Sequence, residues 1–285
     1  FQIGYAMDKG EKRSRGRPRN TDGPQQIAGV QSLERAISIM EVVAEGEGLS
    51  LTEVSEATGL PASTAYRILV TLQSHGMAEF DEVRQLWHVG VTTFRMGASF
   101  VRRRKLAEHG RGVMRRLQAA TGETANLAVA DADGVVFVSQ VETHQPIRAF
   151  FRPGTRGDYH SSGIGKAILA FSDEHSVREI TSRNGLVPYT EHTHRDVNTL
   201  FVDLATIRAR GWSVDDEERN LGMRCVAAPI FNEYGEPVAG ISISGPAVRV
   251  TPAVDVHFGA LVCDAAVEIT AQFGGLWPMA NAARA

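Results

Sequence analysis

The sequence predicts an α+β chain in two folded parts, a small helical head followed by a larger mixed domain. Three observations predict it. Leu49–Phe80 reads as a helix, a tight turn, a second helix and the start of a strand. From Glu123 onward the hydrophobic period shortens toward the alternation of strands, with helical stretches between them. Positive charge gathers near the front, with six Lys/Arg against two acids from Asp8 to Arg19 and seven against one from Val101 to Arg116, in a chain of net charge −3. A basic front joined to a near-neutral or acidic body fits a nucleic-acid-binding head on a sensing domain.

A chain of 285 residues is long enough for two cores. Its 43% hydrophobic and 22% charged residues are ordinary for a globular protein. Two cysteines, Cys225 and Cys263, imply no disulfide framework and suit a reducing cytosol. No apolar run approaches the roughly 18 residues of a membrane helix, and no signal peptide is visible. A cytoplasmic protein is expected, with no membrane partner.

The expected order is a basic tail (1–28), a head (29–90), a linker helix (91–121), a mixed body (122–275) and a short tail (276–285). The polar segment Met7–Ala28 is too poor in apolar residues to fold alone. Ser32 caps a helix to about Glu45, with Leu33, Ala36, Ile37, Met40 and Val43 or Ala44 as its buried stripe. Ser50 and Glu53 form a capping box for the next helix, which turns Val54 and Ala57 inward. Gly59 supplies the positive φ of the turn and Pro61 suits the first turn of the second helix. That helix buries Ala65, Ile68, Leu69 and Leu72 and leaves Ser63, Thr64, Tyr66, Arg67 and Thr71 outside. Short polar and basic side chains at a helix start donate to phosphates and reach base edges in a major groove; an ordinary helical hairpin is the plainer reading. Strands near Met77–Phe80 and Leu86–Val89 form a wing with Arg84 at its tip, reaching a phosphate or the minor groove, with a solvated side chain as the plainer reading.

Val91–Thr121 is helical, with an apolar seam of Phe94, Met96, Phe100, Val101, Val113 and Leu117, a basic face at Arg102–Lys105, and a bend or interruption expected at Gly110 and Gly112. Strands follow at Ala125–Asp131 and Val135–Val141, turned by Asp133-Gly134, and a third at Ile147–Phe151. Ser161 caps a helix over Gly163–Phe171, and two more lie near Asp173–Arg183 and Asp196–Arg210. Further strands lie near Trp212–Asp216, Arg224–Phe231 and Pro237–Ser244. Thr251 caps a last helix ending near Phe273.

Three stretches resemble the IclR family of bacterial transcriptional regulators: Ser32–Ala36 with Leu60–Leu69; His160–Ala170; and Gly211, Asp215 and Glu218 with Cys225–Asn232, continued by Ile241–Pro246. The resemblance spans about Gly29–Phe273. It implies a winged helix-turn-helix head, a linker helix and a GAF-like effector-binding domain. It also implies a dimer or dimer of dimers on a palindromic DNA operator, released by a small organic acid, with no cofactor and no metal. By motif position the effector site would draw on Gly163, Ile164, Asp215, Cys225, Ser242 and Ser244. The residues agree physically: a glycine-rich helix start binds a carboxylate, and Ser242 and Ser244 share one strand face. Plainer roles exist for each, namely close helix packing for Gly163, a small buried hydrophobe for Cys225, and backbone hydrogen bonding for the serines. Tyr159, Phe150 and Phe151 are either pocket walls or core. Separately, Arg15-Gly16-Arg17-Pro18-Arg19 resembles an AT-hook core, which lays Arg15, Arg17 and Arg19 in the minor groove of A·T-rich DNA; it lies outside the family's pattern, and a solvated tail is the alternative.

The expected function is a ligand-responsive repressor of a catabolic operon whose effector is a small organic acid, a short hydroxy-acid, keto-acid or semialdehyde being favoured and an aromatic acid the alternative. An activator of the same family is the alternative. An enzyme is disfavoured: Asp215-Asp216-Glu217-Glu218 offers carboxylates, but neighbours on a strand point to opposite faces. Gly165-Lys166 lacks the rest of a phosphate-binding loop. His192 and His194 lack a carboxylate or Cys at ligand spacing and read as a solvated loop.

Overall fold

The computed structural model describes residues 29–104 and 106–278 and divides into two compact units, up to Thr93 and from Phe94. Arg15, Arg17, Arg19 and Lys105 lie outside the described residues.

In the first unit, α1 (Gln31–Glu45), α2 (Leu51–Thr58) and α3 (Ala62–Ser74) are followed by the hairpin β1 (Ala78–Asp81) and β2 (Leu86–Val89). The capping box at α2 is formed: Ser50 Oγ accepts the Glu53 N–H, and the Glu53 carboxylate accepts the Ser50 N–H at 2.8 Å. Gly59 ends α2 at φ 66°, and Pro61 stands just ahead of α3. Ile39, Val43, Val54, Ala65, Leu69 and Leu72 form the core with Ala78 and Trp87 of the hairpin. Leu49 and Trp87 exchange backbone hydrogen bonds, which ties the wing to the chain entering α2.

Two expectations for the head are corrected. The chain enters α1 at Val30 without a side-chain cap, so Ser32 lies inside the first turn. The stripe that packs on α2, α3 and Trp87 is Ile39 and Val43, four residues apart. Leu33 and Ile37 lie on another side of that helix and are exposed on this unit, while Ala57 is exposed on α2.

Helical backbone runs over α4 (Val91–Arg104) and α5 (Leu106–Thr121), on the two sides of Lys105. Gly110 and Gly112 lie inside α5 without interrupting it. Val113 and Leu117 are buried, but Phe94 and Met96 are exposed.

The second unit continues through β3 (Thr124–Asp131), β4 (Gly134–Val141), β5 (Arg156–Gly157), α6 (Gly163–Phe171), α7 (Glu174–Asn184), α8 (Val197–Arg210), β6 (Ser213–Asp216), β7 (Met223–Phe231), β8 (Pro237–Pro246) and α9 (Asp255–Gln272). The strands form one antiparallel sheet in the order β5-β4-β3-β8-β7-β6. Successive residues of a strand face opposite sides. Leu127, Val129, Val226, Ile230, Ile241 and Ile243 therefore meet α5 and α9 on one face, while Ala128 and Ala227 meet α6 and α8 on the other. The candidate site lies on this second face.

The strand expected at Ile147–Phe151 is absent. The edge of β4 is taken instead by Thr155–Gly157, which hydrogen-bonds to Val135–Phe137, and Ile147–Phe151 has no partner ladder. Ser162, not Ser161, caps α6 and accepts the Gly165 N–H at 3.1 Å. Thr251 makes no side-chain cap; a short 3₁₀ turn, Pro252–Val254, precedes α9.

Candidate functional site

A cavity of about 260 Å³ opens between the start of α6 and the sheet. Its floor is a row across three strands: Asp215 on β6 stands opposite Cys225 on β7, which stands opposite Ser244 on β8. Ser242 follows two residues along β8 on the same side, and Gly163 and Ile164 close the cavity from α6. All six residues expected at the effector site thus border one cavity.

The local sequence explains the close approach. A Cβ on Gly165 would lie 2.3 Å from the Tyr159 carbonyl oxygen, and one on Gly240 would lie 2.7 Å from Ile164 Cγ2. Gly163 is close but less tightly packed, its absent Cβ lying 3.3 Å from Ala227 Cβ, so the packing role read for it also holds. The first backbone N–H groups of a helix lack intrahelical partners, and here they border the cavity. Ser161, missed as a lining residue, is fully buried and its Oγ has no hydrogen-bond partner.

Phe137 and Phe151 stack at 4.6 Å and wall one side. Phe150 is exposed, and Tyr159 is a core residue whose hydroxyl donates to the Asp131 carbonyl at 2.8 Å. Arg156 and Arg219 also border the cavity. Arg219 lies over the Tyr189 ring and pairs with Asp158 at 2.6 Å. Neither arginine was legible in the sequence, because only the returns of the chain after β4 and β6 bring them there.

Burial, reinforced by the nearby Glu218 charge, pushes the Asp215 carboxyl up to about 7. Its Oδ1 accepts the Glu218 N–H at 2.8 Å. Burial, then the Asp215 charge, pushes the Cys225 thiol well above its ordinary range. It stays protonated near neutral pH and is no nucleophile.

Behind the cavity, Lys166 of α6 is 1% exposed and donates to Asp203 at 2.6 Å and Glu218 at 2.5 Å. Burial opposes its charge, but the two carboxylates outweigh burial and raise its pKa. Burial alone would raise Asp203; the His194 hydrogen bond and Lys166 outweigh it and hold Asp203 down to about 2. The reading of His194 as a solvated loop residue is corrected, since it is partly buried with its Nε2 3.3 Å from Asp203. Carboxylates distant in sequence do accompany it. The group His194, Asp203 and Glu218 has donor atoms at metal-ligating proximity, but the Lys166 ammonium already supplies the positive charge there. His192 is largely exposed.

On the head, Ser63, Tyr66, Arg67 and Thr71 are exposed along α3 and Thr64 is partly exposed. The Thr71 hydroxyl donates to the Arg67 carbonyl at 2.8 Å, which removes its hydrogen from outward contacts. Arg84 projects from the β1–β2 turn, three-quarters exposed and 4.0 Å from Asp81.

A winged helix-turn-helix joined to a separate cavity-bearing α+β unit defines a transcriptional regulator. The chain belongs to the IclR family of bacterial transcriptional regulators: the IclR helix-turn-helix domain matches residues 32–82 and the bacterial transcriptional regulator IclR C-terminal domain matches residues 98–271. It is 46% identical to the HTH-type transcriptional regulator BhcR of Paracoccus denitrificans, covering 90% of this chain and 94% of that protein. It is 41% identical to the transcriptional repressor IclR of Escherichia coli, covering 87% and 91%. Among solved structures, the IclR protein of Thermotoga maritima superposes with a TM-score of 0.70 at 31% identity, covering 86% of this chain and 99% of that one. These are regulators and not enzymes, which answers the enzyme alternative. Among the described residues no helix is long and apolar enough to cross a membrane.

Two predictions test the site's electrostatics. Lys166→Met strands two carboxylates, so urea unfolding should show a loss of about 3–5 kcal/mol; a loss below about 1 kcal/mol would mean that water replaces the ammonium. Asp215 has a folded-state pKa above its ordinary value of about 4. Folding therefore takes up a proton there, and the carboxyl costs stability increasingly as pH rises from about 4 to about 7. Asp215→Asn should stabilise by roughly 2–4 kcal/mol at pH 8 and by nearly nothing at pH 4. Equal effects at both pH values, measured by urea unfolding, would contradict the assignment.

Proposed function

We propose that this protein is a cytoplasmic, ligand-responsive repressor that binds a palindromic operator and leaves it when a small organic acid enters the cavity of the second unit. The observation that carries the reading is the cavity itself. It lines an anion-ready helix start, serine hydroxyls and a buried carboxyl together in a chain that also carries a DNA-binding head. A short hydroxy-acid, keto-acid or semialdehyde suits its size and polarity. The relatedness to a named repressor supports repression over activation.

On this reading Ser63, Thr64, Tyr66 and Arg67 present α3 to the major groove, with Arg84 of the wing on the flanking backbone and Arg15, Arg17 and Arg19 in the minor groove. Thr71 contributes through its position beside Arg67. Two copies of α3 on a dimer would enter successive major grooves about 34 Å apart. Gly163, Ile164, Asp215, Cys225, Ser242 and Ser244 contact the effector. The coupling needed between the sites is modest, about 1–3 kcal/mol.

The deciding experiment is a gel-shift titration on the DNA upstream of the protein's own gene, with and without a panel of short organic acids. A discrete shift released by one acid is expected. A shift that none of them alters would confine the reading to DNA binding, and no shift at low salt would refute it. In the same assay Arg67→Ala should weaken operator binding by about 1–3 kcal/mol with the fold intact; unchanged affinity at moderate salt would remove Arg67 from the recognition surface. Ser242→Ala combined with Ser244→Ala should keep operator binding and abolish the ligand response, and a full response would place the effector elsewhere.

A further inference from the structure

The polar face of the sheet carries one more row than the family signature covers. On β3, Asn126 stands opposite Gln140 of β4 on one side and Ser242 of β8 on the other. Asn126 is fully buried, while Gln140 is partly exposed and lies outside the cavity lining. The Gln140 amide nitrogen donates to Asn126 Oδ1 at 2.8 Å. This fixes the Asn126 amide with its nitrogen toward β8, where Nδ2 lies 3.0 Å from Ser244 Oγ and 3.4 Å from Ser242 Oγ.

The consequence follows from donor and acceptor inventories. An amide nitrogen carries two hydrogens and accepts nothing. Both serine oxygens must therefore accept from it, and each hydroxyl hydrogen is left to find another partner. Among the described residues neither hydroxyl donates to an oxygen or nitrogen, and the Cys225 thiol beside Ser244 is a weak acceptor. Both serines border the cavity, so their hydrogens are available to whatever fills it.

We propose that Asn126, oriented by Gln140, is a specificity-determining positioning residue: it sets Ser242 and Ser244 as hydrogen-bond donors into the cavity. That wall then selects an acceptor-only group, a carboxylate, over its neutral amide. An amide would bring its own N–H groups against hydrogens, and such a mismatch at a buried polar contact is costly. Ser161, buried with an unpartnered hydroxyl, faces the same cavity and adds a further donor that can turn to suit the ligand. The inference rests on the cavity being the effector site and deepens that reading by naming what sets its polarity.

The relay can be reversed from outside the cavity. In Gln140→Glu the new carboxylate only accepts, so the Asn126 amide turns Nδ2 toward it and presents Oδ1 to the serines. Their hydroxyls then donate backward and show lone pairs to the ligand. Asn126→Asp has the same effect directly, but it buries a charge; the partly exposed position 140 keeps the test available if that variant fails to fold.

Calorimetric titration of the full chain would use 2-oxobutyrate, 2-hydroxybutyrate and benzoate, each against its primary amide. The parent should prefer at least one acid over its amide. Gln140→Glu should lower affinity for that acid at least tenfold and narrow or invert the acid-to-amide ratio, with operator affinity unchanged. A parallel loss of acid and amide would indicate simple damage and overturn the inference, as would an unchanged ratio in both variants. Failure of the parent to bind any of the probes would instead remove the effector-cavity reading, and the inference with it.

Discussion

The second unit depends on the Lys166 ammonium held between Asp203 and Glu218. An ammonium that is 1% exposed persists only when carboxylates replace its water, and these two come from α8 and from the turn after β6. The contact therefore fixes three separate segments against one another. It sets the rotation of α6 about its axis, so that Gly163 and Ile164 meet the sheet. It also anchors Glu218, whose backbone N–H donates to Asp215 in the cavity floor. The charged cluster behind the cavity and the buried carboxyl within it are thus parts of one arrangement, and the Glu218 charge contributes to the raised Asp215 pKa.

Given that clamp, strand alternation does the rest. β3, β7 and β8 each send every second residue to α5 and α9, and those residues are almost uniformly aliphatic. In the middle of the sheet the intervening residues are small or polar, namely Asn126, Ala128, Cys225, Ala227, Gly240, Ser242 and Ser244, with larger ones such as Met223 and Phe231 only at the strand ends. Small residues let α6 settle close to one end of this face, and polar ones remain where it lifts away. The cavity is the space that results. A bulkier residue at Gly240 would push Ile164 aside and reshape it.

Much of this was legible in the chain. The capping box at Ser50, the positive φ at Gly59 and the apolar stripe of α3 all follow from contacts within a few residues; the hairpin after β3, expected to turn at Asp133-Gly134, turns one residue earlier at Ala132-Asp133, with Gly134 already paired to Asp131. The serines at 242 and 244 also announced a shared face. The failures are equally specific. Ile147–Phe151 has strand composition, but a strand needs an unpaired edge, and Thr155–Gly157 occupies the one on β4. Leu33 and Ile37 follow helical spacing as well as Ile39 and Val43 do; only the positions of α2, α3 and Trp87 select which stripe is buried. Ser161 and Ser162 are interchangeable as caps by type, and the difference lies in which hydroxyl can reach the Gly165 N–H.

The sequence alone determined the two-part organisation and most helices and strands, because these depend on local periodicity, and the family motifs named six of the residues that border the cavity but not Ser161, Arg156 or Arg219. The tertiary structure decided what those side chains are paired with. His194, Asp203 and Glu218 meet around Lys166, and Gln140, Asn126 and the two serines align across three strands. The energy of a buried charge or amide is set by partners dozens of residues away, and no local pattern encodes that distance.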